Sequence, residues 1–282
     1  MNDPKALARS IQDRLRIVAN KMGAAYENVL TEFFIEKLLV RLLDEPQLVK
    51  NLVFKGGYVS LRVYASPRFT VDLDATLTKG KLETVTAKAI ATVERERHDG
   101  IWFRYEKSVD LQLQGEYGGL RLVFRSGIGD VFKDPLRGQT INLDIGAGDP
   151  ITPGPKLIET ASLIGKEIVK WTVCPVETTV AEKLNSLVRR SLDNSRSKDI
   201  FDLCVLLPCC NPNILKQAIK ATFEHCGDPV PNNLTTYLKT INTAILRRGW
   251  RSAIADIRPL PDFDETFSSI LSQIEEIAKA WR

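Results

Sequence analysis

NLVFKGGYVSLRVYASPRFTVDLDATL, residues 51–77, joins a glycine pair to an aspartate pair. Gly56 and Gly57 follow an apolar segment and precede YVSLRVYA, whose apolar spacing is typical of a helix. Because glycine has no side chain, the backbone N–H groups of such a pair can approach a phosphate closely, and the positive end of the helix dipole adds attraction. The pair therefore indicates a phosphate-binding turn, although a glycine pair alone is a weak signal. Lys55, directly before it, either contacts phosphate or faces solvent.

The aspartate pair lies in VDLDATL, whose alternation predicts a strand. Side chains at i and i+2 of a strand share a face, so Asp72 and Asp74 point the same way while Leu73 points into the core. Two carboxylates about 7 Å apart repel each other unless a cation lies between them. Mg²⁺ prefers carboxylate and phosphate oxygens, and such a pair can hold it for phosphoryl-type transfer. The alternative is the solvated face of an amphipathic strand.

A third acid, Asp144, lies in TINLDIGAGDP between Leu143 and Ile145. Burying an aspartate among apolar neighbours is costly unless a partner or a metal compensates its charge. Asp144 therefore either joins the site of the aspartate pair or points to solvent from an alternating strand.

Residues 177–190, ETTVAEKLNSLVRR, form the clearest amphipathic pattern in the second half of the chain. Thr178 or Thr179 is expected to cap this helix. Lys183 then lies beside the apolar face, either as a surface residue or as a phosphate ligand.

A further helix is expected to open in NSRSKDIFDL, residues 194–203. Acids in a first helical turn often act only as partners of the helix dipole, which is the plain interpretation of Asp199. An ion pair between Arg196 and Asp202 is equally ordinary, and Lys198 adds another basic residue.

The composition is that of a globular protein with ample apolar mass for a core. The chain has 282 residues, of which 44% are hydrophobic and 26% charged, and this excludes collagen-like, disordered and disulfide-stapled proteins. No apolar run approaches the roughly 18 residues of a membrane span, and the N-terminus does not resemble a secretory signal. The 5 cysteines form no CxxC pair, which agrees with a reducing compartment. We therefore expect a cytoplasmic protein that does not bind membranes.

The formal net charge of +4 is too small to indicate nucleic-acid binding by itself. Basic residues nevertheless cluster twice, in residues 189–198 and in residues 247–258. Each cluster could receive phosphates, and each could equally be a solvated helix face.

The hydrophobic pattern changes twice along the chain. Helical spacing extends to about residue 50. Strand-like alternation follows, is interrupted by one helical stretch, and ends near residue 148. DPITPGP then indicates a linker or a lid, and helical spacing resumes at about residue 175. We expect an α/β domain with N-terminal helices at residues 1–155 and a helical domain at residues 156–282.

Five pieces, FKGG, PRFTVDLD, LDIGAGDPITP, ETTVAEKL and NSRSKDIFDL, occur in this order over residues 54–203. Together they resemble the AbiEii/AbiGii family of toxin nucleotidyltransferases, a branch of the DNA polymerase β-like superfamily. The resemblance implies a mixed α/β nucleotidyltransferase sheet followed by a helical C-terminal domain. One position departs from the family pattern: a small hydroxyl residue usually follows Gly-Gly, and here Tyr58 stands there. Ser60 is the nearest hydroxyl that could take its place.

In the first half of the chain, the resemblance implies that Gly56 and Gly57 cradle an NTP triphosphate and that Asp72 and Asp74 bind Mg²⁺. It also implies that Asp144 serves as a third carboxylate or as a base.

In the second half, the resemblance implies that Lys183 contacts the nucleotide phosphates and that either Asp199 or Asp202 is an essential acid. In the first half, it further implies that Arg68 supports the glycine loop or contacts phosphate. The residues expected to bind the nucleotide are Lys55, Gly56, Gly57, Arg68, Lys183, Arg196 and Lys198.

The implied activity is that of a Mg²⁺-dependent toxin of a type IV toxin–antitoxin or abortive-infection system. It would transfer NMP from an NTP to an acceptor hydroxyl, favouring the 3′ end of RNA such as tRNA, and release pyrophosphate. A cognate antitoxin is the implied partner. Two alternatives remain open: transfer to a protein or small molecule, and a pseudoenzyme that binds nucleotide without transfer.

Overall fold

The computed structural model describes residues 4–111, 118–131, 134–190 and 196–281. These residues form eleven α-helices and seven β-strands in two compact units that are discontinuous in sequence. The sheet unit comprises Met1–Val59, Phe69–Gly148 and Leu157–Val173, and the helical unit comprises Ser60–Arg68, Asp149–Lys156 and Cys174–Arg282. The sequence pattern predicts a single domain boundary, after residue 155.

The described part of the first 173 residues contains five α-helices and all seven strands. They are α1 (Pro4–Met22), α2 (Tyr26–Leu43), α3 (Pro46–Asn51), β1 (Leu52–Lys55), α4 (Gly56–Val63), β2 (Asp72–Leu77), α5 (Leu82–Val93), β3 (Ile101–Leu111), β4 (Gly119–Ile128), β5 (Gln139–Ala147), β6 (Lys156–Ala161) and β7 (Ile168–Val173). Pro46 opens α3, because a proline at the first helical position loses no hydrogen bond that the helix needs.

The seven strands form one mixed sheet in the order β3-β4-β5-β2-β1-β7-β6. β2 runs parallel to β5 and antiparallel to β1, so it lies at the centre of the sheet. Alternation along β2 buries Leu73 and Ala75 on one face and leaves Asp72 and Asp74 half-buried on the other. α2 and α5 contact the central strands, and the fully buried Leu143 of β5 continues the apolar face.

This sheet confirms the α/β fold expected from the sequence, but its last two strands were not foreseen. Residues 156–173 were assigned to the helical domain, whereas they form β6 and β7 in the sheet. β6 is an edge strand whose side chains are all exposed or half-buried. A short edge strand of this kind carries little of the apolar alternation by which a strand is recognised.

The helical unit contains the remaining helices around one apolar core. They are α6 (Val176–Arg190), α7 (Ser197–Leu206), α8 (Pro212–His225), α9 (Leu234–Leu238), α10 (Thr243–Ala253) and α11 (Phe263–Lys279). Leu184 of α6, Leu203 of α7 and Trp250 of α10 are among its buried members. Across the described ranges, no helix has the length and apolar character needed to cross a bilayer.

Candidate functional site

A row of four ionisable residues crosses the centre of the sheet on its polar face. In the strand register, Asp74 of β2 is paired with Lys55 of β1 on one side and with Asp144 of β5 on the other. Asp144 is in turn paired with Arg121 of β4. Directly paired residues share a face of a sheet, so these four side chains form one line, which we call the carboxylate row. Asp72 lies two residues before Asp74 on the same face.

Arg121 holds Asp144 through a bidentate ion pair. Its Nε donates to Asp144 Oδ1 and its Nη2 to Asp144 Oδ2, each at 2.7 Å. The same Nη2 lies 3.4 Å from Asp72 Oδ2, while Asn142 Nδ2 donates to Asp72 Oδ1 at 2.7 Å. The hydrogen bonds to Asp144, together with the charges of Asp72 and Asp74, raise the pKa of Arg121 above its ordinary value despite partial burial. Asp144 therefore has a charged partner.

Gly56 packs directly against the carboxylate of Asp74. Its φ of +75° lies in the left-handed region that favours glycine. A Cβ at this position would overlap Asp74 Oδ2 and lie 2.7 Å from Asp74 Cγ. The first glycine of the pair thus makes room for the aspartate at the start of α4, in addition to the phosphate-binding turn that the sequence predicts. Gly57 follows as the second residue of the same helix.

The aspartate pair has the chemistry of a site for a hard divalent cation. Asp72 and Asp74 present carboxylate oxygens from one strand face, and the side chain of Asp72 is 22% exposed. Within the described residues, no group of three or more His, Cys, Asp or Glu side chains is arranged to hold a metal. The pair therefore fits a cation whose other ligands come from outside the protein, such as nucleotide phosphates and water.

Tyr58, the departure from the family pattern, is a core residue. It is 1% exposed, and its ring centroid lies 5.7 Å from that of Trp171 in β7. The ring is therefore in the apolar interior of the sheet unit and not in the turn beside Gly56. Ser60, which the sequence offered as a substitute hydroxyl, is itself only 2% exposed.

A second charged group lies in the helical unit and centres on Lys183 of α6. Lys183 Nζ donates to Asp199 Oδ1 at 2.8 Å and to Asp202 Oδ2 at 2.7 Å, and both aspartates of α7 are fully buried. Arg68 binds Asp202 through two hydrogen bonds of 2.8 Å, to Oδ1 from Nε and to Oδ2 from Nη2. Arg196 Nε lies 2.7 Å from Asp199 Oδ2 without hydrogen-bond alignment. We call these five residues the lysine network.

Within the lysine network, the pKa values of Lys183 and Asp202 shift in opposite directions. Burial alone would lower the pKa of Lys183, but the charges of Asp199 and Asp202 outweigh it and raise the pKa. Burial alone would raise the pKa of Asp202, but Lys183 and Arg68 bring it down to about 2. The sequence offered Arg196 as an ion-pair partner of Asp202; the structure pairs Arg196 with Asp199 and Arg68 with Asp202.

The caps expected at the start of α6 were wrong. Thr178 lies inside the first turn, where its Oγ1 donates to Thr152 O at 2.9 Å and accepts from Thr152 N at 3.0 Å. Thr179 Oγ1 donates to Pro175 O at 3.5 Å. The helix begins at Val176, so both threonines lie within its first turn and their hydroxyls bond to backbone groups instead of capping the helix.

The aspartates of both groups could be identified from the sequence, whereas Arg121 and Asn142 could not. Alternation in LRLVFRS already puts Arg121 and Arg125 on one strand face, but only the register with β5 brings Arg121 beside Asp144. Lys198 is exposed on α7, and residues 194 and 195 of the quoted motif lie outside the described residues.

Comparisons with known proteins agree with the fold. The family model described as nucleotidyl transferase AbiEii toxin, type IV TA system, matches residues 37–271. JHP933 from Helicobacter pylori has a similar structure, with a TM-score of 0.55 and 16% identity over 91% of this chain and 94% of its own. An H. pylori protein provisionally assigned as a nucleotidyltransferase also gives 0.55, with 18% identity over 91% of this chain and 96% of its own. No curated protein matches this chain in sequence.

The fold and the family match together define the class of the protein, which is a nucleotidyltransferase. The matched residues make up most of the chain, and the chain belongs to the AbiEii family of nucleotidyltransferase toxins of type IV toxin–antitoxin systems. Membership implies an antitoxin partner. The family and the fold expected from the sequence are thereby confirmed.

Proposed function

We propose that this protein transfers NMP from an NTP to the 3′ hydroxyl of an RNA, with tRNA as the favoured acceptor. In this reaction the acceptor oxygen forms a bond to the α-phosphorus, the bond from that phosphorus to the β-phosphate oxygen breaks, and pyrophosphate leaves. The observation that carries the proposal is the half-buried aspartate pair, Asp72 and Asp74, on the polar face of β2 beside Gly56.

Asp72 and Asp74 would hold a Mg²⁺ ion. When bound, Mg²⁺ neutralises phosphate charge and polarises the α-phosphate for attack. Asn142 keeps one oxygen of Asp72 in place through its 2.7 Å hydrogen bond. Gly56 leaves the space that the Asp74 carboxylate occupies, and the register places Lys55 beside Asp74 as a positive neighbour for a triphosphate.

Asp144 is our candidate for the group that accepts the proton of the acceptor hydroxyl. The register puts it next to Asp74, and its side chain is 13% exposed. An ionised carboxylate oxygen has two lone pairs, and Arg121 engages one on each oxygen of Asp144. Each oxygen therefore keeps a lone pair that can receive a hydrogen bond from the hydroxyl.

In the helical unit, we propose that Lys183 contributes to phosphate binding. An ammonium group has three N–H donors, and Asp199 and Asp202 engage two of them. The two aspartates would act by holding Lys183 charged and in one orientation. Arg68 would act by holding Asp202, while Arg196 and Lys198 remain proposed nucleotide contacts.

The basic clusters of the helical unit support RNA as the acceptor. Ser197 Oγ donates to Leu246 O at 2.7 Å, and Gly249 approaches Ser197 so closely that a Cβ there would lie 2.5 Å from Ser197 Oγ. This contact joins α7 to α10, and α10 carries the exposed Arg248 and Arg251. In the described part of the chain neither arginine has an ion pair, so both are available to bind phosphates.

A labelled-transfer assay tests the proposed reaction. Purified protein would be mixed with Mg²⁺, total cellular RNA and each of four α-labelled NTPs, beside an Asp72→Ala/Asp74→Ala variant. The matched control is Asp13→Ala/Asp256→Ala, which removes two exposed aspartates. We expect label in an RNA band with the wild type and the control but not with the site variant.

Other outcomes would overturn specific parts of the proposal. Label in protein or in a small molecule would reject RNA as the acceptor. Binding of Mg–NTP without any transfer would indicate a pseudoenzyme. Unchanged transfer by the Asp72→Ala/Asp74→Ala variant would reject the aspartate pair as the site.

A further inference from the structure

The carboxylates on the polar face of the sheet are not equivalent. Asp144 gives both oxygens to Arg121 at 2.7 Å, whereas Arg121 reaches Asp72 only at 3.4 Å. Asp74 lies between Asp144 and Lys55 in the register and packs against Gly56. Of these three carboxylates, Arg121 therefore binds that of Asp144 most closely.

The ion pair between Arg121 and Asp144 opposes cation binding by Asp144. Bidentate hydrogen bonds between a guanidinium and a carboxylate are among the strongest that side chains form, and they fix geometry as well as charge. A divalent cation that recruited Asp144 would have to displace both of these bonds and would then lie beside the positive charge of Arg121. A cation bound by Asp72 and Asp74 alone avoids the displacement.

We propose that Arg121 is a positioning residue that competes with divalent cations for Asp144 and so restricts the first cation to Asp72 and Asp74. Arg121 thereby keeps Asp144 oriented by its two hydrogen bonds and available for a separate role. This inference rests on the proposed cation site, and it assigns a function to a residue that no motif of the sequence includes.

The same strand supplies a matched control. Arg125 is four residues after Arg121 in β4, on the same face, and it also binds a carboxylate, with its Nε 2.6 Å from Glu106 Oε2. Its register partner in β5 is Thr140, so Arg125 lies outside the carboxylate row. Replacing Arg125 removes the same charge and an ion pair with a carboxylate, without touching Asp144.

The test is the affinity of the nucleotide-free protein for Mn²⁺, read from the electron paramagnetic resonance signal of free Mn²⁺. Arg121→Gln removes the competing charge and frees Asp144, so we expect its Kd for Mn²⁺ to fall about three- to tenfold. The double variant Arg121→Gln/Asp144→Asn should lose this gain, because the freed ligand is absent. Arg125→Gln should bind Mn²⁺ within about twofold of the wild type.

Arg121→Lys is a second variant with which the inference can be tested if Arg121→Gln does not fold. Lysine keeps the positive charge as a point charge but loses the bidentate fork. We expect a Mn²⁺ affinity between those of the wild type and Arg121→Gln, and a lower rate of nucleotide transfer, since Asp144 is less firmly oriented. Weaker Mn²⁺ binding by this variant than by the wild type would overturn the competition.

The outcomes separate this inference from the proposed function. An Arg121→Gln protein that melts as a folded protein but binds Mn²⁺ with unchanged or weaker affinity would overturn the inference, whatever the transfer assay gives. If the wild type transfers no nucleotide while Arg121→Gln still tightens Mn²⁺ binding, the proposed function fails and the role of Arg121 stands.

Discussion

Gly56 and Asp74 lie so close together that no larger residue fits at position 56 without moving the carboxylate. The close approach depends on two properties of glycine, the absence of a Cβ and the tolerance of a φ of +75°. A glycine in a phosphate-binding turn is usually explained by the approach of the ligand. Here the protein's own aspartate already requires it.

Gly56→Ala should therefore weaken cation binding as well as stability. The new Cβ would displace Asp74 from the aspartate pair, and the left-handed backbone adds about 1–2 kcal/mol of strain. We expect a raised Kd for Mn²⁺ and a lower free energy of unfolding in urea. The control is Gly23→Ala, whose φ is +63° with nothing within 4 Å of its Cβ position, so it reports the backbone strain alone. Equal effects of the two substitutions on Mn²⁺ binding would contradict this account.

Asp202 should make the protein sensitive to acid. Its pKa is about 2 in the folded state against an ordinary value of 3.8. Because the folded-state pKa is depressed, the stabilisation is present above about pH 4 and is lost as the pH falls towards 2, and it amounts to about 2 kcal/mol. Urea unfolding between pH 2 and pH 6 measures this dependence.

Two substitutions separate this contribution from general acid unfolding. Asp202→Asn should lower stability at neutral pH, because Lys183 and Arg68 lose their buried partner. It should also reduce the steepness of the acid limb, which is the fall in unfolding free energy between about pH 4 and pH 2. Asp264→Asn removes an exposed carboxylate that pairs with Arg247 and should leave the acid limb nearly unchanged. An acid limb of the same steepness in Asp202→Asn would show that other groups control it.

Local sequence patterns were sufficient to predict the helices and strands that carry the motifs. The alternation of VDLDATL correctly predicted β2, with Asp72 and Asp74 on one face, because side-chain direction in a strand depends only on parity. The break at Pro46 and the amphipathic spacing of α6 were also visible, since both are local properties of the chain.

Partners across the fold could not be predicted in the same way. Arg121 and Asp144 are 23 residues apart, and Arg68 and Asp202 are 134 apart, so their pairing depends on strand register and helix packing. A one-residue shift of register would turn Arg121 to the opposite face. Asp202 was interpreted as part of an ordinary ion pair for this reason, although it is buried between two cations.

Tyr58 should affect stability and not the choice of nucleotide. Its ring packs against Trp171 in the core of the sheet unit, so Tyr58→Phe, which keeps the ring, should keep the transfer rate. Tyr58→Ser restores the hydroxyl residue usual in the family but removes the ring, and we expect a loss of about 3–5 kcal/mol of stability. Thermal unfolding and transfer assays with all four NTPs distinguish the two effects. Faster transfer by a folded Tyr58→Ser protein would show that the ring restricts the turn.

Arg248 and Arg251 should contribute to RNA affinity through charge alone. Both are exposed on α10. The slope of log Kd against log salt concentration should fall by about 1 for each RNA phosphate contact that is lost. We expect Arg248→Glu/Arg251→Glu to weaken binding to RNAs of unrelated sequence by a similar factor and to reduce that slope by about 2. Fluorescence anisotropy with labelled RNA at several salt concentrations measures both quantities.

The control for this double variant must change the net charge equally. Arg9→Glu/Arg14→Glu does so on α1, where both arginines are also exposed. If this variant weakens RNA binding as much as Arg248→Glu/Arg251→Glu, the effect follows from net charge and α10 is not an RNA surface. If only the α10 variant loses affinity and the salt slope falls with it, phosphates contact α10, because a general change in net charge acts on both variants alike.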